Sequence, residues 1–79
     1  MTEQLNISLT ISKDEALVLF EFLTKFNQKE HPEIFEDQAE QKTLWIIDGL
    51  LEKQLVETLH SNYKALILRV RNRIRNNEL

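Results

Sequence analysis

The chain of 79 residues lacks cysteine and contains only one glycine and one proline. Without thiols it can form neither disulfides nor thiolate metal sites. A single glycine excludes a glycine-rich phosphate-binding loop, and the scarcity of glycine and proline favours long regular elements joined by short connections. A chain of this length is expected to form one domain spanning residues 1–79.

Long apolar runs are also missing from the sequence. The longest uninterrupted one, Ala16 to Phe20, is far shorter than the ~20 residues that cross a bilayer. Residues 1–4 lack the basic and apolar blocks of a signal peptide. From these absences we expect a soluble, cytoplasmic protein without membrane contacts.

Charges are distributed unevenly, although the net charge is only −3. Residues 1–60 carry five lysines, no arginine and twelve acidic residues, a balance of −7. Residues 61–79 carry one lysine and four arginines against one glutamate, a balance of +4. The arginines all lie within seven residues and are candidate contacts to a partner: Arg69, Arg71, Arg73 and Arg75.

Apolar and polar residues alternate strictly between residues 5 and 11, which predicts a half-buried β-strand. A single strand cannot satisfy its own backbone groups, so this one needs a partner strand. The partner could be the C-terminal segment, another protein or, as we expect, the same strand in a second copy. The face buried in such a homodimer would be formed by Leu5, Ile7, Leu9 and Ile11.

The residues after this segment form a capping-box pattern, Ser12 with Glu15, which predicts a first helix from about Lys13 to about Lys29. Its main apolar stripe consists of Ala16, Leu19, Phe20, Leu23 and Phe26. Three more apolar residues fall outside that stripe, so part of this helix is expected to contact something besides its own core: Leu17, Val18 and Phe22.

A second helix is predicted to begin between Pro32 and Asp37, because proline disfavours helix in the preceding residue but suits a first turn. Trp45 lies away from its apolar side and is a candidate contact for a partner protein. Gly49 is interpreted as a glycine inside the helix that allows close packing. The apolar side is formed by Leu44, Ile47, Leu51 and Leu55, widened by Ile46 and Leu50.

Residues 63–75 repeat apolar side chains at helical spacing after a break at residues 60–62. A third helix is favoured because arginine and leucine are good helix formers and cations suit a helix C-terminus. The same residues also fit a strand. The predicted fold is therefore mainly α, with a short N-terminal β-strand followed by two or three helices (β-α-α-α), and with β-α-α-β as the alternative.

The residue pattern gives no indication of catalysis. Ser12 is explained as a helix cap, and the adjacent His60 and Ser61 do not have the spacing of a catalytic triad. Acidic residues near His31 match no established metal motif and suit the start of the second helix. We therefore expect no enzyme activity, no catalytic residue, no metal site and no cofactor.

The arginine segment could attract nucleic acid, an anionic membrane or an acidic protein surface. Aromatic residues for base stacking are scarce beside it and the rest of the chain is acidic, so we expect the arginines to pair with acids of the first two helices, within the chain or across a dimer. A strand followed by helices also resembles ribbon–helix–helix repressors. Here, however, the strand has no basic residue, and the second helix would direct its acidic start at phosphates.

Two stretches, residues 14–21 (DEALVLFE) and residues 35–41 (FEDQAEQ) with the following Leu44 and Trp45, resemble a family of small bacterial proteins with no assigned activity. The resemblance covers the first two helices and implies a bacterial, cytoplasmic setting. It implies no catalytic or binding residue. If it holds, the residues of interest share one helix face: Asp37, Glu40, Gln41 and Trp45.

These observations predict a non-enzymatic structural or interaction protein that forms a homodimer. Two alternatives remain open: an inhibitor or immunity-type binding module, and a DNA-binding regulator of the ribbon–helix–helix kind. The expected partner is a second copy of the chain or another protein, whereas nucleic acid and membrane are not expected as partners.

Overall fold

A computed structural model describes residues 5–77, which form three α-helices and one short 3₁₀-helix. Helix α1 spans Lys13–Phe26, α2 spans Gln38–Gln54 and α3 spans Tyr63–Arg75. The 3₁₀-helix, Val56–Leu59, lies in the connection between α2 and α3. Among residues 5–77 there is no β-strand.

The predicted N-terminal strand is therefore wrong. Residues 5–11 form no regular element, and the side chains of Leu5, Ile7 and Leu9 are 83%, 86% and 84% exposed, with Ile11 also exposed. An alternating pattern becomes a strand only when a second strand accepts its backbone hydrogen bonds. The C-terminal segment, the one intrachain candidate for that role, is a helix, so neither β-α-α-α nor β-α-α-β is the fold.

Helix α1 begins as the sequence predicts, because its capping box is complete. The Glu15 amide donates to the Ser12 hydroxyl at 3.0 Å, and the Ser12 amide donates to the Glu15 carboxylate at 2.8 Å. The helix ends at Phe26, three residues before the predicted end, with Asn27 as its C-cap.

Helix α2 begins one residue after Asp37, whose carboxylate accepts a hydrogen bond from the Ala39 amide at 2.7 Å. Gly49 lies inside this helix as predicted. Its expected role in close packing is wrong, because a Cβ atom added there would meet no other atom within 4 Å.

Helix α3 confirms that the arginine segment is helical and not a strand. Asn62 occupies its N-cap position, but its side chain makes no capping hydrogen bond. The helix has Arg73 and Arg75 in its last turn, where cations offset the negative end of the helix dipole.

The core is small and centred on Leu17 of α1, which is 1% exposed. It includes Leu55 at the end of α2 and two residues of α3, Ile67 and Val70. Leu17 was predicted to lie outside the main stripe of α1, whereas Leu19, predicted inside it, is exposed. The buried face of α1 is thus rotated from the prediction, because α2 and α3 both pack against this helix and Leu17 faces the space they enclose.

The helices give the molecule an elongated shape, with principal extents of 45 × 29 × 25 Å. Its radius of gyration is 14.7 Å, whereas a compact domain of this length has about 12 Å. The exposed segment 5–11 contributes to this difference. No helix between residues 5 and 77 is both long and apolar enough to cross a bilayer.

Candidate interaction surface

The feature that stands out on the surface is the amount of exposed apolar side chain. Among the described residues, thirteen large apolar side chains are exposed and only six apolar residues are buried. Single exposed apolar residues are normal on a protein surface, but contiguous patches mark contact sites. A candidate contact site is therefore a place where several of these exposed side chains lie together.

One group lies on the outer side of α1. At 100° per residue, Leu19, Phe22 and Phe26 lie on the side of the helix opposite Leu17, the centre of the core. Leu19 and Phe22 are exposed, and the Phe22 side chain is 56% accessible. We call Leu19 and Phe22 the α1 stripe. The sequence predicted that Phe22 would face something other than the core, and it does.

Phe26 continues the α1 stripe into an aromatic cluster. Its ring stacks on His31 with 3.9 Å between ring centroids, stacks on Phe22 at 5.6 Å and meets the edge of Phe35 at 5.9 Å. His31 Nε2 lies 2.9 Å from the carbonyl oxygen of Phe26, so this nitrogen carries a proton and donates. The cluster fixes the connection between α1 and α2 against the end of α1.

Helix α2 faces α1 with polar as well as apolar side chains. Asp48 accepts hydrogen bonds from Thr24 and Asn27 of α1, each at 3.4 Å. Sequence reasoning did not find this contact, because Asp48 beside Gly49 is equally typical of a turn. Several apolar residues on the other sides of α2 remain exposed: Trp45, Ile46 and Leu50.

Trp45, a predicted partner contact, is 47% exposed. Two other residues of the predicted contact face have local roles. Asp37 caps α2, and the Glu40 carboxylate accepts from the Glu36 amide at 2.8 Å. Both carboxylates therefore accept hydrogen bonds from backbone amides at the start of α2.

Arg73 forms the strongest ion pair of the described residues. Its guanidinium donates two hydrogen bonds to the Asp14 carboxylate, from Nε at 2.7 Å and from Nη2 at 2.9 Å. These bonds and the adjacent positive charge hold the pKa of Asp14 below its usual value. The pairing joins the C-terminus of α3 to the N-terminus of α1, as predicted for arginines and acids of the first helices.

The other three arginines form no ion pair with any residue between 5 and 77. Arg71 lines a groove of about 330 Å³ between α1 and α3, beside Lys25 and Leu68. Arg69 lies in a separate recess with Glu57 and Leu66. Arg75 hydrogen-bonds the side chain of Asn72, one turn earlier in α3. Helix α3 therefore presents cations on two different sides.

Tyr63 joins α3 to α1 at the end of their contact opposite the Arg73–Asp14 pair. Its hydroxyl donates to the Glu21 carboxylate at 3.0 Å. Burial, reinforced by this carboxylate, raises the pKa of Tyr63 to about 12. Since Tyr63 begins α3 and Arg73 ends it, the two contacts set α3 antiparallel to α1.

The groups considered for catalysis or metal binding are dispersed. Ser12 serves as the α1 cap, His31 is stacked in the aromatic cluster, and both His60 and Ser61 are exposed. In the part of the chain that the structure describes, no three histidine or acidic side chains come together in a way that could hold a metal ion. The remaining candidate sites are therefore surfaces for binding macromolecules.

Comparison with known proteins identifies no relative. The chain matches no protein-family model, no curated protein and no solved structure.

Proposed function

We propose that this chain is a non-enzymatic interaction protein that assembles as a homodimer in the cytoplasm. The observation that carries the proposal is the accessible surface of 6847 Å² for a chain of 9.4 kDa. A folded monomer of that mass exposes about 5,000 Å². Stable dimers bury about 800 Å² on each partner. The excess of roughly 1,800 Å², to which the exposed segment 5–11 contributes, is large enough to include such an interface.

The small core supports the same proposal. Six buried apolar residues offer little hydrophobic stabilisation to a chain without disulfides. Oligomerisation is one of the few remaining ways for a domain of this size to gain stability. A cytoplasmic setting agrees with the lack of cysteine in the sequence.

Light scattering on a sizing column tests this proposal. Across micromolar concentrations we expect a molar mass near twice 9.4 kDa. A mass of one chain at every concentration up to the millimolar range would refute the homodimer. The measurement needs no partner and no knowledge of the interface.

A second candidate, a binding module for a different protein, is favoured by one observation. Trp45 is exposed on α2, and tryptophan is enriched among residues that dominate binding energy. If this candidate is correct, a Trp45→Ala variant should keep the mass of the unmodified chain but lose a stoichiometric partner that the unmodified chain recovers from its native host. Equal recovery by both chains would exclude Trp45 as the contact.

The ribbon–helix–helix alternative is not supported by the fold. Its DNA-reading ribbon requires an N-terminal strand, and residues 5–11 form none.

A further inference from the structure

The arginine-rich end of α3 and the acidic segment 30–37 lie at opposite ends of α1, although Asp14 and Glu15 also lie at the first end and Lys25 at the second. The Arg73–Asp14 pair places the end of α3 beside the start of α1, whereas the acidic segment 30–37 follows the end of α1. The fourteen residues of α1 span about 20 Å at 1.5 Å per residue. Since charges in physiological salt are screened over about 8 Å, the two ends cannot neutralise each other within one chain.

The α1 stripe lies along the helix that connects these two ends. Lys25, one turn after Phe22, lines the same groove as Arg71. Arg71 therefore lies on the α3 side of this groove, which Lys25 separates from Phe22, whereas Arg69 occupies the separate recess beside Glu57. This side of the molecule therefore combines the exposed apolar side chains of the α1 stripe with the Arg71 side of α3.

We infer that this surface binds a second copy of the chain, with the two α1 helices antiparallel and the Arg71 flank of each α3 facing the acidic segment 30–37 of the other copy. The inference rests on the proposed homodimer and adds its surface and its orientation. A two-fold axis across the α1 stripe makes the contact self-complementary. It also places the Arg71 flank of each chain against the acidic segment 30–37 of the other chain, whereas a parallel arrangement would bring like charges together.

The apolar part of the contact is tested by Phe22→Asp, with Lys53→Asp on the exposed side of α2 as the matched control. We expect Phe22→Asp to raise the dimer dissociation constant roughly a hundredfold, because it buries a charge at the centre of the contact. Helix content measured by circular dichroism should stay that of the unmodified chain. Lys53→Asp should leave the dissociation constant unchanged.

The orientation is tested by exchanging charges. The variants R71E/R75E and E33K/E36K should each dimerise about tenfold more weakly than the unmodified chain, because each meets like charge in its partner. Mixed in equal amounts, they should form a heterodimer of near-normal affinity, since both contacts then join opposite charges. Arg69→Glu, on the other flank of α3, is the control and should have little effect.

The outcomes separate this inference from the proposed homodimer. If the unmodified chain is dimeric but Phe22→Asp and the charge variants dimerise normally, the inferred surface is wrong and the homodimer stands. If the charge variants weaken dimerisation and their mixture does not restore it, the antiparallel orientation is wrong. A chain that is monomeric throughout overturns both.

Discussion

The hydrogen bond between Tyr63 and Glu21 forms only when α3 is packed on α1. Tyr63 is the only tyrosine in the chain, and its hydroxyl lies between α1 and α3. The neutral phenol can donate to the Glu21 carboxylate, whereas a phenolate would be repelled by it and would lose solvation. Loss of the proton is therefore opposed as long as α3 stays packed on α1.

This predicts a tyrosinate absorbance titration with a midpoint of about 12 in the folded protein, against the ordinary 10.0 in the chain unfolded by urea. The pKa is raised on folding, so its contribution to stability is complete below pH 10 and is lost as the pH rises towards 12. Glu21→Gln should lower the midpoint but leave it above 10, because burial is the larger cause. A folded-state midpoint of 10 would contradict the packing of Tyr63.

The Asp14–Arg73 contact illustrates how far residue-level prediction can go. The sequence indicated that arginines of the last helix would meet acids of the first two helices, and Arg73 does so. It could not indicate which arginine, since Arg69, Arg71 and Arg75 have the same chemistry at neighbouring positions. The choice follows from the rotation of α3 that buries Ile67 and Val70.

At the scale of elements, the start of α1 was predicted best because its signal is local, whereas α2 begins at Gln38, just after the predicted range of Pro32 to Asp37. The Ser12 capping box and the Asp37 cap each satisfy orphan amide groups within a few residues, whatever the rest of the chain does. The buried faces were predicted less well. Which residues of α1 are buried depends on where α2 and α3 pack, and neither position is encoded in the spacing of apolar residues within α1.

Gly49 gives the prediction that belongs to this scale. It lies inside α2 with open space where a Cβ would be. Gly49→Ala should therefore stabilise the protein by about 1 kcal/mol, because alanine loses less backbone entropy in a helix. For a domain of this size that raises the melting temperature by about 4–8 °C.

Thermal unfolding followed by circular dichroism measures this change. The reverse substitution at an exposed position inside α3, Ala65→Gly, is the matched control and should lower the melting temperature by a similar amount. A lower melting temperature for Gly49→Ala would mean that the glycine is needed for a contact, such as the surface of a partner.

At the scale of the whole molecule, the small core and the exposed apolar surface both limit the stability of a single chain. Among residues 5–77, six buried apolar residues and six partly buried ones hold three helices together, while the α1 stripe, Trp45 and Leu50 are exposed. Association would bury part of that surface and thereby stabilise the fold of each chain. Folding and assembly are then linked, so that stability depends on protein concentration.

This linkage predicts a melting temperature that rises with protein concentration. For a dimer of two 79-residue chains, a tenfold increase in concentration should raise it by about 4 °C. Phe22→Asp should show this concentration dependence only at concentrations above its raised dissociation constant. If the melting temperature of the unmodified chain is also independent of concentration, folding does not depend on assembly.

The sequence by itself determined the start of α1, the break around Pro32 and the separation of acidic from basic charge, because caps, proline and charge act locally or simply add along the chain. Only the tertiary structure decided three further features. It left residues 5–11 without a partner strand, turned Leu17 into the core in place of Leu19, and paired Arg73 alone with Asp14. Each depends on which distant segment is present to supply a hydrogen bond, an apolar contact or a charge, and that is settled only when the helices pack.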